Sequence, residues 1–247
     1  MDPLLSIENL VVDFVNESTV TNAVKNVSLQ VHTGEIVALV GESGSGKSVT
    51  SLSVLQLLPV PPARYTSGKI WFHYDGIVID LLSSNAKQIR KIRGNKIGMI
   101  FQEPMSSLNP LMKCGEQIAE SLRIHKNTGR KQIKIKVVEW LNKVQLPSPE
   151  IIYNKYPHEL SGGQKQRIMI AMAMCCEPAL LICDEPTTAL DVTVQKTILE
   201  LIKNLQQQNN TGVLFITHDL GVVAEIADRV AILYKGEKVE ENTLHSI

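Results

Sequence analysis

The stretch that most constrains this chain is Gly41-Glu42-Ser43-Gly44-Ser45-Gly46-Lys47-Ser48. It follows Glu35-Ile36-Val37-Ala38-Leu39-Val40, a short apolar run that reads as a buried strand. It precedes residues 49–58, which carry helical spacing and which Pro59 is expected to end. The glycines therefore sit in a strand–turn–helix, the context that the G-x-x-x-x-G-K-[ST] pattern requires. Glycine lets the backbone curl so that successive N–H groups face phosphate oxygens, and the start of the helix adds partial positive charge. The cradle takes in Gly41, Ser43, Gly44, Ser45, Gly46, Lys47, Ser48 and Val49. Lys47 can reach β- and γ-phosphates, and the Ser48 hydroxyl can ligate Mg2+. A Gly/Ser-rich connector with an incidental lysine would use the same residue types. Four fixed positions in this context point instead to a nucleoside triphosphate.

Composition narrows the class. The chain has 247 residues, 44% of them hydrophobic, enough for one large α/β domain or two small ones. Lys+Arg and Asp+Glu balance at 25 each, so no strong overall field is expected to hold nucleic acid or an anionic membrane non-specifically. Met1-Asp2-Pro3 opens no basic-then-apolar leader, and no apolar run approaches the roughly 18 residues of a membrane helix. Cys114, Cys175, Cys176 and Cys183 lack C-x-x-C spacing and read as core residues or bystanders in a reducing compartment. A soluble intracellular protein is the expectation.

Along the chain, residues 4–14 and 24–31 alternate apolar and polar positions, as antiparallel strands with one packed face would. Gly34 marks a turn, residues 59–62 are a proline breaker, and residues 68–74 read as an edge strand. A short basic helix is expected over 85–93 and a buried strand over 96–101. Residues 104–160 then lose all strand character, with helical periodicity at 113–125 and 130–144, and read as a helical insertion. A buried helix over 161–176, apolar almost all round, resumes the core. Strands follow at 180–183 and 213–216 around an amphipathic helix, and 230–234 is expected to close the sheet. Alternating strands and helices imply a parallel sheet with crossovers. The fold class is thus α/β, a phosphate-loop core with a mixed, largely parallel sheet, an N-terminal antiparallel β subdomain and a helical insertion. Residues 1–103 and 161–247 would form the core and 104–160 the insertion.

Two further stretches carry chemistry. Leu180-Leu181-Ile182-Cys183-Asp184-Glu185 is an apolar strand ending in two carboxylates, at the sheet edge where ligands bind. Asp184 would hold Mg2+, and Glu185 would orient and polarise an attacking water. Leu160-Ser161-Gly162-Gly163-Gln164 opens a helix with a hydroxyl and two glycines, a second anion cradle with no lysine beside it. A serine cap followed by flexible glycines is the plainer reading. Glycine is a poor first-turn residue, however, and suggests that backbone approaches something closely there.

The series of phosphate loop, Gln102, Leu-Ser-Gly-Gly-Gln, Asp184-Glu185, Ala189-Leu190-Asp191 and His218 resembles the nucleotide-binding subunit of ATP-binding cassette (ABC) transporters over nearly the whole chain. The resemblance implies ATP and Mg2+ as ligands and two cassettes meeting head to tail. Ser161, Gly162, Gly163 and Gln164 of one cassette would then cover the γ-phosphate held by the other. It further implies that Gln102 touches Mg2+ and water, that His218 contacts the γ-phosphate, and that Asp191 communicates between sites. Phe14, 27 residues before Gly41 (41 − 14), stands roughly where the family places an aromatic against adenine; an ordinary core phenylalanine fits the position too. His32, His73, His125, His158 and His245 have no such place in the series.

Residues 41–50, 102–110, 156–163 and 184–193 resemble more narrowly the peptide/nickel importer branch. That likeness implies a second, paralogous ATPase subunit, two membrane-spanning permease subunits met through residues 102–125, an extracytoplasmic solute-binding protein, and a place on the cytoplasmic face of the inner membrane. The branch normally continues past the final strand, sometimes with cysteines, whereas this sequence ends at Ile247; a truncated chain and a short subunit both fit. ABC ATPases that work on nucleic acid carry long coiled coils, and translation-type ones carry two cassettes. Neither feature is present, so no nucleic-acid partner is expected. A regulatory module without turnover is the other alternative, against which the intact acidic and histidine set argues.

Overall fold

The computed structural model describes residues 2–16, 19–102, 107–126, 128–188 and 190–243. Residues 103–106 of the importer-like stretch, the expected start of the insertion at 104, Ala189, His245 and Ile247 lie outside the described residues. The chain divides into two compact units, Met1–Arg90 with Asn210–Ile247, and Lys91–Asn209.

The first unit holds two sheets. One is antiparallel in the order β2 (Val20–Val31), β1 (Leu5–Val15), β4 (Ala63–Tyr74), β5 (Ile77–Asp80). The segment expected to be an edge is therefore the end of an interior strand, and β5 is the edge. The four-residue β5, joined to β4 by a tight Asp75-Gly76 turn with both residues at positive φ, was not expected from the sequence. The other sheet centres on β3 (Ile36–Val40), every residue of which is buried. It pairs in parallel with β8 (Gly212–Thr217) and β9 (Arg229–Tyr234). The strand β9 does not close that sheet. A further strand, β10 (Glu237–Thr243), pairs antiparallel outside it; its charged sequence lacks an apolar alternation, which an edge strand can do without.

α1 (Lys47–Val54) follows β3, and it stops four residues short of the expected end. Pro59 is not what ends it. Gln56 takes a left-handed φ of 49, Leu57 N–H reaches the Leu52 carbonyl at 2.9 Å, and Gln56 N–H reaches that of Ser53 at 3.1 Å. These are the two bonds of a Schellman cap. Earlier in the helix, the Thr50 and Ser53 hydroxyls bond back to carbonyls four residues before them. α8 (Leu220–Ile226) is capped by Asp219, whose carboxylate accepts from the N–H groups of Gly221 and Val222 at 2.8 and 3.4 Å. Its Val223, with Ala227, packs against Ala38, Val40 and Val230.

The second unit contains α2's last residues (α2 is Ala86–Ile92, capped by Asn85) and the parallel pair β6 (Ile97–Ile100) and β7 (Leu180–Asp184). The helices are α3 (Cys114–His125), α4 (Arg130–Lys143), α5 (Pro149–Asn154), α6 (Gly162–Met174) and α7 (Val192–Asn209). Pro147-Ser148-Pro149, expected only to break, in fact starts α5, with proline in the first turn where no N–H is needed. Gln117 in α3 is buried and fully engaged. Its amide accepts from Asn109 N–H and donates to the Asn109 and Met112 carbonyls, at 2.9–3.0 Å. All four cysteines are buried.

β1 carries an extra residue opposite β4, because Glu8 pairs with Lys69 and Val11 with Ser67. Two residues, Asn9 and Leu10, thus face Gly68 alone, a β-bulge. Gly68 has φ +99, and a Cβ there would lie 2.6–2.7 Å from Leu10 Cα and the Asn9 and Glu8 carbonyls. Gly68→Ala is expected to destabilise the fold by about 2 kcal/mol, a fall in Tm of about 4–8 °C. An unchanged melting curve would mean that the bulge can shift register freely.

Candidate nucleotide-binding site

In the first unit the phosphate loop, residues 41–46, joins β3 to α1 under tight backbone constraint. Gly41 cannot be replaced, because a Cβ would lie 2.2 Å from the Leu233 carbonyl of β9. Gly46, at φ +100, would place one 2.5 Å from the Ala23 carbonyl of β2. Gly44 differs. Its φ of +78 also calls for glycine, yet no atom of the described residues lies within 4 Å of where its Cβ would be. Lys47 is 5% exposed, and its ammonium donates to the Gly41 and Glu42 carbonyls at 2.7 and 2.8 Å, across the loop. The Ser45 hydroxyl is buried with no hydrogen-bond partner among the described residues. An orphan buried hydroxyl, open space beside Gly44 and a fixed cation make a donor set that fits a polyphosphate anion.

A residue missed from sequence supports this loop. Gly236, in the turn between β9 and β10, donates its N–H to the Ser45 carbonyl at 3.1 Å and accepts from Lys25 N–H at 2.7 Å. The Lys235-Gly236 pair, both at positive φ, was the available signal. β9 is fixed in turn by its first residues. Asp228 accepts from Ile36 N–H at 2.8 Å, and Arg229 bridges both Glu35 oxygens, the Gln30 carbonyl and Glu241. Phe14 lies in β1, half-buried, paired with Thr21 and Ala63. His218 is exposed at the tip of β8, between Thr217 and the capping Asp219.

The second unit carries the other expected residues. Asp184 ends β7, 5% exposed. Before it, Cys183 is fully buried; burial, with the Asp184 carboxylate next to it, raises its thiol far above the ordinary range and keeps it protonated. Glu185 takes φ 47, a left-handed conformation that costs a long side chain energy. Its carboxylate accepts from the Gln102 amide at 3.2 Å and the Thr188 hydroxyl at 2.9 Å. Gln102 and Glu185, 83 residues apart in sequence, are thus brought together.

Ser161 caps α6 in a reciprocal box: its hydroxyl accepts from Gln164 N–H at 3.4 Å, and the Gln164 side chain accepts from Ser161 N–H at 3.1 Å. The two glycines have different causes. Gly163 would drive a Cβ to 2.8 Å from Val194 Cγ1 of α7, so close helix packing accounts for it. Gly162 would meet only Leu190 Cδ2, at an ordinary 3.8 Å, so nothing among its described neighbours demands glycine. Asp191 is exposed and caps α7 through Val194 N–H at 3.0 Å. Gly163→Ala is expected to lower Tm by pushing α6 and α7 apart, and adding Val194→Ala should recover most of the loss; a non-additive rescue below one-half would contradict the contact.

The comparisons with known proteins fall on the same residues. Residues 24–188 match the ABC transporter family. The chain is 50% identical over 245 residues, 99% of its length, to the glutathione import ATP-binding protein GsiA of Escherichia coli K12, and equally so to that of Shigella boydii. It spans 39% of the length of those relatives. Among solved structures, the dimeric ATP-binding cassette MJ0796 in a post-hydrolysis state bound to ADP and Pi superposes with a TM-score of 0.84 at 29% identity, over 97% of this chain and 98% of that one. The protein cbiO1 from Clostridium perfringens, part of the ABC transporter complex cbiONQ, gives 0.82 at 28% identity, covering 100% and 90%. Among the described residues no helix is long and apolar enough to cross a membrane. With the phosphate loop, the capped glycine helix and the Asp184-Glu185 strand end in one α/β chain, the protein belongs to the ABC transporter family of ATPases.

Proposed function

We propose that this chain is the ATP-hydrolysing subunit of an ABC importer of the peptide/nickel branch, working peripherally on the cytoplasmic face of the cell membrane. The observation that carries the reading is the phosphate loop itself, with Lys47 fixed across it, open space beside Gly44 and a buried Ser45 hydroxyl without a partner among the described residues. Likeness to a glutathione import ATP-binding protein supports a peptide-like cargo, since glutathione is itself a short peptide. Residues 104–160 form the helical subdomain in this reading, and 102–125 meet the membrane-spanning permease subunits. A solute-binding protein and a second, paralogous ATPase subunit complete the assembly.

Each site residue has a role. Gly41, Ser43, Gly44, Ser45, Gly46, Lys47, Ser48 and Val49 bind the triphosphate, and Phe14 stacks on the adenine. Ser48, Gln102 and Asp184 would hold Mg2+, which would supply neutralisation of phosphate charge. Glu185 orients the attacking water and takes its proton, with Gln102 and Thr188 keeping its carboxylate in place. His218 contacts the γ-phosphate, and Asp191 reports on the state of the facing site. Ser161, Gly162, Gly163 and Gln164 close over the γ-phosphate of a second cassette, and the dimeric state of the related ADP-bound cassette supports such a pairing. Closure conveys force because the γ-phosphate bonds both subunits whereas ADP does not.

Glu185→Gln is expected to keep ATP affinity, to trap a closed dimer visible by gel filtration, and to cut steady-state turnover by about 100-fold or more. Undiminished hydrolysis would remove Glu185 from the role of base. Lys47→Ala should instead weaken nucleotide binding itself, read by equilibrium titration. Gly162→Ala fits its surroundings without a clash. Melting should therefore be unaltered while ATP-driven dimerisation falls; intact dimerisation would mean that no phosphate approaches this turn.

A further inference from the structure

The even charge balance of the whole chain conceals a local imbalance. Between Glu120 and Glu139 there is no acidic residue, yet Arg123, Lys126, Arg130, Lys131, Lys134 and Lys136 all fall there. The turn from α3 to α4 gathers four of these, Arg123, Arg130, Lys131 and Lys134, around a cavity of about 480 Å3. Its one carboxylate, Glu116, is already committed. It accepts from the Tyr153 hydroxyl at 2.6 Å and pairs with Arg123, and these two, with the nearby charge of Arg130, hold it below the usual carboxylate range. Lys134 stands 5.4 Å from the Tyr153 ring, and Arg130 and Lys131 form no ion pair among the described residues.

The arrangement runs against local stability. No acidic residue occupies the first turn of α4, so Arg130 and Lys131 sit at the positive end of the helix dipole, beside each other and near Lys134. Four cations against one carboxylate round a hollow leave an excess of positive charge, which is what a site for an anion needs. A second hollow of about 360 Å3 adjoins through Arg123 and is lined by Ile124, His125, Lys126 and Thr128. Ile124 there is 64% exposed, and Ile135, next to Lys134, is 45% exposed. Cations interleaved with exposed aliphatic side chains match a surface that is anionic outside and apolar just beneath, and a soluble polyanion would leave the isoleucines unanswered.

We propose that the α3–α4 turn docks on anionic phospholipid, with a headgroup phosphate seated among Arg130, Lys131 and Lys134 and with Ile124 and Ile135 against the interfacial layer. This contact adjoins, at Ile124, the far end of the stretch 102–125 read as meeting the permease, is separate from the nucleotide site, and needs no nucleotide for its test.

The chain would be sedimented with vesicles containing phosphatidylglycerol and, separately, with vesicles of phosphatidylcholine alone. Binding is expected only to the first and should fall steeply as salt rises. The triple variant R130Q/K131Q/K134Q should bind about tenfold or more weakly. Its Tm should stay the same or rise, because these exposed cations oppose the helix dipole. K131Q alone should show a severalfold loss and serves if the triple variant is poorly folded; I124S should weaken binding without changing its salt dependence. Equal binding to both vesicle types, or variants that bind as the parent does, would overturn the proposal. So would saturable binding of inorganic tripolyphosphate at these residues without vesicle binding, which would assign the cavity to a soluble anion.

Discussion

Backbone crowding around residues 41–46 is the constraint on which the rest of the first unit depends. The Leu233 carbonyl stands where a Cβ of residue 41 would be, and the Ala23 carbonyl does the same at residue 46. The loop is therefore shaped by main-chain atoms of β9 and β2 and not by its own side chains. That choice has a requirement: both strands must be held to a fraction of an ångström. Asp228 and Arg229 meet it at the start of β9, and the Gly236 turn meets it at the other end, through the Ser45 carbonyl. The apolar β3, buried along its whole length, provides the rigid base.

How far this was legible in the sequence depended on which physical signal each element used. Lys47, Ser48 and the glycines were legible because phosphate binding fixes residue type and spacing together. The buried strands β3, β7 and β8 were legible because continuous apolar runs have few other uses. The strand β10 was not, since an edge paired on one side needs main-chain bonds more than apolar side chains. The end of α1 was misread for a related reason: a left-handed Gln56, not the visible Pro59, terminates it, and nothing in the local composition signals an αL glutamine.

The candidate site divides along the same line. Asp184 and Glu185 could be found from the end of an apolar strand, but the left-handed φ of Glu185, the local turn that brings Thr188 back to it and the arrival of Gln102 from 83 residues away could not. The glycines at 162 and 163 looked equivalent in sequence. One is explained by the flank of α7, and the other is exposed with no described neighbour that demands glycine. Charge was the least legible property. A whole-chain balance of 25 against 25 says nothing of the acid-free run that surrounds the α3–α4 turn.

The contact between Gly163 and Val194 has a mechanical consequence. The Val194 side chain packs here directly on the main chain of Gly163, so sliding one helix along the other would press it into backbone, and α6 and α7 travel as one lever. The caps at their leading ends, Ser161 and Asp191, ride on that lever together. A push felt at either tip is thereby passed to the other through a single short, β-branched side chain.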